Sequence, residues 1–274
     1  MPESQLSFHS TFALKKQDLL KILRAACEQQ GLKDTLSGLV ERTGLGNKKV
    51  TPVKSWAIRA GLISRNTLSP EGKLVLQFDP YLESVVTEWL MHFYLSFSGY
   101  GMEPPPNHPA DWGGWSYFVF SFLPEHSEFS QDELVAASAQ VFSRATPKVL
   151  HENFRILLRA YTEDQALWAC RFLQNVDSKH YRQGGIDNVH HSLMGYFLAK
   201  LWQRDFEELD SVPLDTLLNQ PMGLAPILGT QLNLLQNRLT KLEHYGLISY
   251  SSGTSDTVTR RWKDPLLLLE RAYT

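Results

Sequence analysis

The stretch Gly46-Asn47-Lys48-Lys49-Val50-Thr51-Pro52-Val53-Lys54-Ser55-Trp56-Ala57-Ile58-Arg59-Ala60-Gly61 decides how this chain reads. On a helical wheel, Val50, Val53, Ala57 and Ala60 fall within about 80° of one another. Lys48, Thr51, Ser55 and Arg59 collect on the opposite arc, with Lys54 at its edge. A buried face opposite a cationic, hydroxyl-bearing face is the pattern of a recognition helix, which packs on two partner helices and turns outward to the major groove. Such side chains are what phosphate contact and base reading require. Pro52 sits without strain if Thr51 is the N-cap and Pro52 the first helical residue, leaving residues 46–49 as a basic approach loop. Either way the helix N-terminus favours an anion. The competing reading is a structural module whose lysines only solvate it, because such modules also serve protein contacts.

The flanking sequence completes a winged-helix unit. Lys16 to Gln30 reads as an amphipathic helix with Leu19, Leu20, Ile22, Leu23, Ala26 and Cys27 on one stripe, ended by Gly31. A short helix follows from Thr35 to Arg42, with Asp34 available as its N-cap. Gly44-Leu45-Gly46 turns the chain into the third helix, and Gly61 stops that helix. Leu62-Ile63 is a small strand, and Ser69-Pro70-Glu71 opens another helix. Lys48, Lys49, Thr51, Lys54, Ser55, Arg59 and Arg65 are the candidate DNA contacts of this unit.

The C-terminus repeats that order with different residues. Pro213 to Asn219 and Ala225-Pro226 to Leu228 read as short helices, Thr230 caps a longer one to Tyr245, and Gly246 stops it. Leu247 to Tyr250 and Val258 to Trp262 read as two strands joined by a polar tip at residues 251–256. Leu232, Leu235, Leu239 and Leu242 are the expected buried stripe. Asn233, Gln236 and Asn237 on the far side suit adenine, with Arg260 and Arg261 at the hairpin for phosphates. A plain solvated face explains the same residues equally well.

An aromatic middle lies between the two units. Helices are expected over Tyr81 to Phe97, from Ser130-Gln131-Asp132-Glu133 (a capping box) to Arg144, from Thr146-Pro147, from Thr162-Glu163-Asp164-Gln165, and over Asn188 to Leu209. Trp112 to Phe122 is an aromatic block, and Gly99 to Pro109, with Pro104–Pro106, is an extended loop. The expected fold is mainly α, in three parts. Residues 1–78 form an N-terminal winged-helix domain, residues 79–210 an aromatic-rich helical middle and residues 211–274 a C-terminal winged-helix domain.

The 274 residues carry 27 Lys and Arg against 29 Asp and Glu, unevenly spread. The balance is 12 against 6 over residues 1–75, 9 against 19 over 76–220, and 6 against 4 over 221–274. Cationic ends around an acidic middle point to a polyanionic partner. No apolar stretch reaches the roughly 20 residues that span a membrane, and Met1 to Phe8 carries no export pattern. Cys27 and Cys170 lack metal or redox spacing and read as reduced core thiols, so a cytoplasmic location is expected.

Catalytic motifs are missing from the sequence. It contains neither G-x-x-x-x-G-K-[ST] nor G-x-G-x-x-G. His180, His190 and His191 lie near Asp187, but helical neighbours recur at three or four residues, so capping or surface roles are expected rather than a metal site. Asp205, Glu207, Glu208 and Asp210 read as a solvated helix end. Trp89, Trp112, Trp115, Trp168 and Trp202 read as core or interface anchors. No cofactor, metal or catalytic residue is expected.

Several segments resemble a known family. They are Phe8-His9-Ser10-Thr11-Phe12, Leu14-Lys15-Lys16, Gly44 to Val50, Trp56 to Ile63, Leu68-Ser69-Pro70-Glu71-Gly72, Asp79-Pro80-Tyr81-Leu82-Glu83 and Asp264-Pro265-Leu266. The chain resembles the bacterial domain-of-unknown-function family numbered four thousand and seven. Genes of that family lie beside DNA phosphorothioation genes and their sulfotransfer enzymes in phage-defence islands. The resemblance implies a DNA-facing partner in a modification or restriction operon, and carries over no catalytic motif. Gly46, Lys48, Trp56, Arg59 and Gly61 fit its winged-helix stretch, with Lys48 and Arg59 the residues expected to touch DNA. The expectation is a non-enzymatic component of a phosphorothioation defence system that binds double-stranded DNA, with proteins of that operon as partners. Its rivals are an autoregulatory repressor acting as a homodimer, a protein–protein adaptor, and a nuclease with a site assembled from distant residues.

Overall fold

The computed structural model describes residues 6–185, 188–207, 209–251 and 256–274. Its first unit runs α1 (Lys16–Cys27), α2 (Leu36–Thr43), α3 (Asn47–Arg59), a hairpin of β1 (Ile63–Ser64) with β2 (Thr67–Leu68), and α4 (Pro70–Phe78). α1 buries Leu19, Ile22, Leu23 and Ala26 and stops at Cys27, which is exposed rather than a core thiol. Thr35, not Asp34, caps α2: its side chain accepts from the Gly38 N–H, while Asp34 pairs with Arg42. α3 begins at Asn47 with Gly46 as N-cap, so Thr51 is no cap and Pro52 lies inside the helix. A proline there gives up one intrahelical bond, and its ring is buried against the core. Gly61, at φ +73°, ends α3 in a Schellman turn, its N–H donating to the Ile58 carbonyl and that of Leu62 to the Ala57 carbonyl.

The middle contains α5 (Val85–Ser96), α6 (Gly114–Tyr117), β3 (Glu128–Ser130), α7 (Gln131–Val141), α8 (Pro147–Thr162), β4 (Leu173–Asn175), β5 (His180–Gln183) and α9 (His191–Asp205). α5 starts later than its sequence suggests, because Ser84 caps it, and Tyr81 stays exposed outside it. The aromatic block breaks into a 3-10 turn ending at Trp112, then α6, then one π-helical turn over Phe118–Phe122. Ser130 and Glu133 make the expected capping box. Thr162 closes α8 instead of opening a helix, because Glu163 folds back to pair with Arg159. The antiparallel sheet β3-β5-β4 was not expected; its strands are too short to display an alternating pattern.

The last unit runs β6 (Ser211–Pro213), α10 (Leu214–Leu218), α11 (Leu224–Ile227), α12 (Leu232–His244), β7 (Ile248–Ser251), β8 (Thr257–Arg260) and α13 (Pro265–Tyr273). Its antiparallel sheet has the order β6-β8-β7, and residues 252–255 of the expected hairpin tip lie outside the described residues. Gln231, not Thr230, precedes α12, without a side-chain cap, and Leu232 is 45% exposed rather than part of the buried stripe. Gly246, at φ +71°, repeats the Schellman turn: its N–H donates to the Glu243 carbonyl, and that of Leu247 to the Leu242 carbonyl. α13 packs on α9 and α4, and buried side chains from Leu6 to Ala272 form one core. The described chain is mainly helical with small sheets. None of its helices is long and apolar enough to cross a membrane.

Candidate nucleic-acid interface

α3 turns Lys48 and Thr51 to solvent. Lys54, on the next turn, donates from Nζ to Asn66 Oδ1 at 2.8 Å, which ties α3 to the β1–β2 turn. Arg65 is exposed in that turn, in the left-handed region at φ +59°. The other candidates on α3 are occupied. Lys49 leans back to α1, with Nζ 3.0 Å from Asp18 Oδ2. Ser55 is half-buried. Arg59 is not on an open face: its guanidinium lies 4.4 Å over the Phe8 ring and donates to the Ser98 carbonyl. Burial holds its pKa below the ordinary arginine value. The wheel gave the direction of Arg59 correctly, but the turn after α5 covers that end of the helix. Thr51, Lys54, Ser55 and Arg59 therefore form one wall of a cavity of about 590 Å³, faced by Leu36, Leu39 and Ser98 to Tyr100. No carboxylate lines it among the described residues.

α12 has a different outlook. Asn233 and Gln236 are exposed and stand clear of its clefts, whereas Asn237 lines a cleft of about 960 Å³ between α12 and the end of β5. Arg182, Arg238 and Lys241 supply the charge of that cleft, again with no carboxylate among its described lining. Arg238 and Lys241 also line a neighbouring cleft of about 500 Å³. There His191 stacks on Tyr245 with centroids 3.7 Å apart and meets His190 at 4.1 Å with the rings tilted by 38°. His190 also caps α9, accepting from the Ser192 N–H at 3.3 Å. At the hairpin, Arg260 is paired with Asp210 (Nη2 to Oδ1, 3.0 Å), so it does not stand ready for a phosphate as the sequence suggested. Arg261 is exposed and donates from Nε to Ser249 Oγ at 3.1 Å.

The sequence reading passed over Arg182, Arg238, Lys241 and Tyr245. A signal for three of them existed: Leu234, Arg238, Lys241 and Tyr245 recur at intervals of four, three and four, which places them within about 60° on α12. Arg182 gave no such signal, because it sits on the unexpected β5. Among the described residues, no three His, Cys, Asp or Glu side chains converge as a metal site, and Asp187 lies outside those residues. Cys170 is buried, and desolvation pushes its thiol pKa far up, away from reactivity.

Residues 6–266 match the family described as a protein of unknown function, DUF4007. The chain belongs to the DUF4007 family. The resemblance read from its N-terminal segments and Asp264-Pro265-Leu266 is thereby borne out. Two solved structures share the fold of this DUF4007 chain, a magnesium ion-bound SspB and a second SspB crystal structure. The first has a TM-score of 0.74 at 15% identity, and the second 0.71 at 16%. Each alignment covers 97% of this chain and 86% of the other. At such identities the likeness is one of fold alone. No curated protein matches the chain.

Proposed function

We propose that this protein is a non-enzymatic DNA-binding component of a bacterial DNA phosphorothioation defence system, with winged-helix modules at both ends and other proteins of the same operon as partners. The observation that carries the reading is the line Lys48, Thr51, Lys54 and Arg65. It runs along α3 into the β1–β2 turn, and Lys54 there is held by a neutral amide rather than a carboxylate. Three helices, a Schellman glycine and a hairpin support the winged-helix assignment at each end. The phosphorothioation context rests on the family resemblance.

With Lys49 paired and Arg59 clamped, three cations remain on the α3 line. Titration of labelled duplex DNA is expected to give log K falling with log salt at a slope of about −3. Lys48→Glu combined with Arg65→Glu is expected to abolish this binding. Absence of duplex binding at low salt, or binding indifferent to salt, overturns the proposal.

The magnesium ion bound by the structural neighbour is the one observation behind a second reading, a metal-dependent nuclease, for which no three His, Cys, Asp or Glu side chains converge among the described residues. Nicking of supercoiled plasmid in magnesium, compared with a chelator control, decides between the two.

A further inference from the structure

We propose that the adjoining clefts along α12 bind a single nucleic-acid strand, an inference that rests on the DNA-binding role above but uses a different site. The larger cleft, about 960 Å³, and the smaller, about 500 Å³, share Arg238 and Lys241 as a common wall. Together they flank a helix about 20 Å long. Arg182 stands in the larger cleft, Arg238 and Lys241 where the two meet, and no carboxylate lines either among the described residues. In a chain with more acids than bases, that is a marked selection. Arg182 and Lys241 are exposed.

The rings complete the pattern. His191 stacks on Tyr245 in the smaller cleft, His190 leans against His191 at a tilt of 38°, and Tyr245 is 54% exposed. Burial holds both imidazoles below their ordinary pKa, so at neutral pH they are uncharged ring surfaces. Leu232 and Leu234, 45% and 51% exposed, supply apolar surface in the larger cleft. Cations that follow a backbone, beside rings on which bases stack, are how sequence-tolerant proteins hold single strands. A duplex is excluded by shape: recognition helices enter its major groove, but the cationic stripe of α12 faces Leu123, Ser127 and residues 182–185 of its own chain across the cleft.

A labelled single-stranded oligonucleotide of mixed sequence, titrated by fluorescence anisotropy, tests this. Phosphate contacts from the exposed Arg182 and Lys241 predict a log–log salt slope of about −1.4, and Arg182→Ala and Lys241→Ala should each reduce it by about 0.7. Tyr245→Ala should weaken binding about tenfold, with Tyr245→Phe restoring it. The Lys48→Glu, Arg65→Glu protein should keep the oligonucleotide, and Lys241→Ala should keep duplex DNA, which also shows that the variant is folded. Salt slopes unchanged in Arg182→Ala and Lys241→Ala overturn the inference, as does competition by polyglutamate equal to that of the oligonucleotide. Either result leaves the α3 reading standing. Loss of duplex binding alone sinks the α3 reading and leaves this one.

Discussion

α3 and α12 end in the same way and face different surroundings. Each closes on a glycine near φ +70° with the same pair of turn hydrogen bonds, followed by Leu-Ile and a hairpin. Each carries polar side chains opposite its buried stripe. Yet the middle of the molecule draws in the polar end of α3, clamping Arg59 between Phe8 and Ser98, while it leaves α12 a charged cleft. A helical wheel reports which side avoids the core of its own three-helix unit. It says nothing of a neighbouring unit that arrives later in the chain. Amphipathicity locates a face; tertiary packing decides whether that face is open.

The two units are also tied to the middle by unlike chemistry, and the largest expected effect tests this. Lys16 at the start of α1 reaches Glu88 of α5 at 2.5 Å, and Glu88 is fully buried, its second oxygen accepting from the Cys170 N–H. Desolvation raises the Glu88 pKa, and Lys16 opposes that rise. Lys16→Met leaves a buried carboxylate without its cation, which is expected to cost about 3–5 kcal/mol in chemical denaturation. Adding Glu88→Gln should recover a large part of the loss. A double variant no more stable than Lys16→Met would show that the pair does not hold the N-terminal unit.

Much of this was legible in the sequence, and for local reasons. Ser69-Pro70, Ser130 with Glu133 and Thr146-Pro147 start helices where expected, because a cap acts within one turn. Both glycine stops were legible too, since their conformation excludes most side chains. What failed depends on contacts distant in sequence. Arg59 meets Ser98, Lys49 meets Asp18, Arg260 meets Asp210, and β5 forms only between β3 and β4. Thr162 carried a start signal that Arg159, one turn earlier, overrode by capturing Glu163. The cationic stripe of α12 was readable by period alone and was obscured by the amides beside it.

The paired glycines sharpen the comparison. A Cβ on Gly61 would lie 2.4 Å from the Tyr94 ring, whereas one on Gly246 meets nothing within 4 Å. Tyr94 cannot yield easily, because its hydroxyl donates to Glu71 at 2.8 Å and lies 2.7 Å from the Tyr196 hydroxyl. Gly246→Ala should therefore cost only left-handed strain, about 1–2 kcal/mol. Gly61→Ala adds overpacking, for a total of about 2–5 kcal/mol. Thermal unfolding of the two variants measures the difference, and equal losses would mean that the N-terminal unit is no more tightly seated than the C-terminal one.

Acid should expose the same asymmetry more gently. His9 lies 3.2 Å from Asn153 Oδ1 and stacks on Trp56, so it joins the N-terminal unit to α8. His92 lies 2.8 Å from the Ile227 carbonyl, joining α5 to the C-terminal unit. A carbonyl only accepts, so His92 carries its proton on Nε2, and Nδ1 accepts from the Tyr161 hydroxyl at 2.7 Å. Burial lowers the pKa of His9 to about 4 and of His92 to about 3. Both rings protonate near 6.5 once unfolded, so the unfolded chain takes up protons first as pH falls. Stability is then full above 6.5 and drops below it by up to about 1.4 kcal/mol per pH unit for each histidine. The His9 contribution stops growing near pH 4, and that of His92 continues to about 3. Denaturation midpoints measured from pH 7 to 4.5 should fall steadily, and His9→Gln should fall less steeply than the parent. An unchanged slope in His9→Gln would mean that the N-terminal tie does not hold a neutral imidazole out of water.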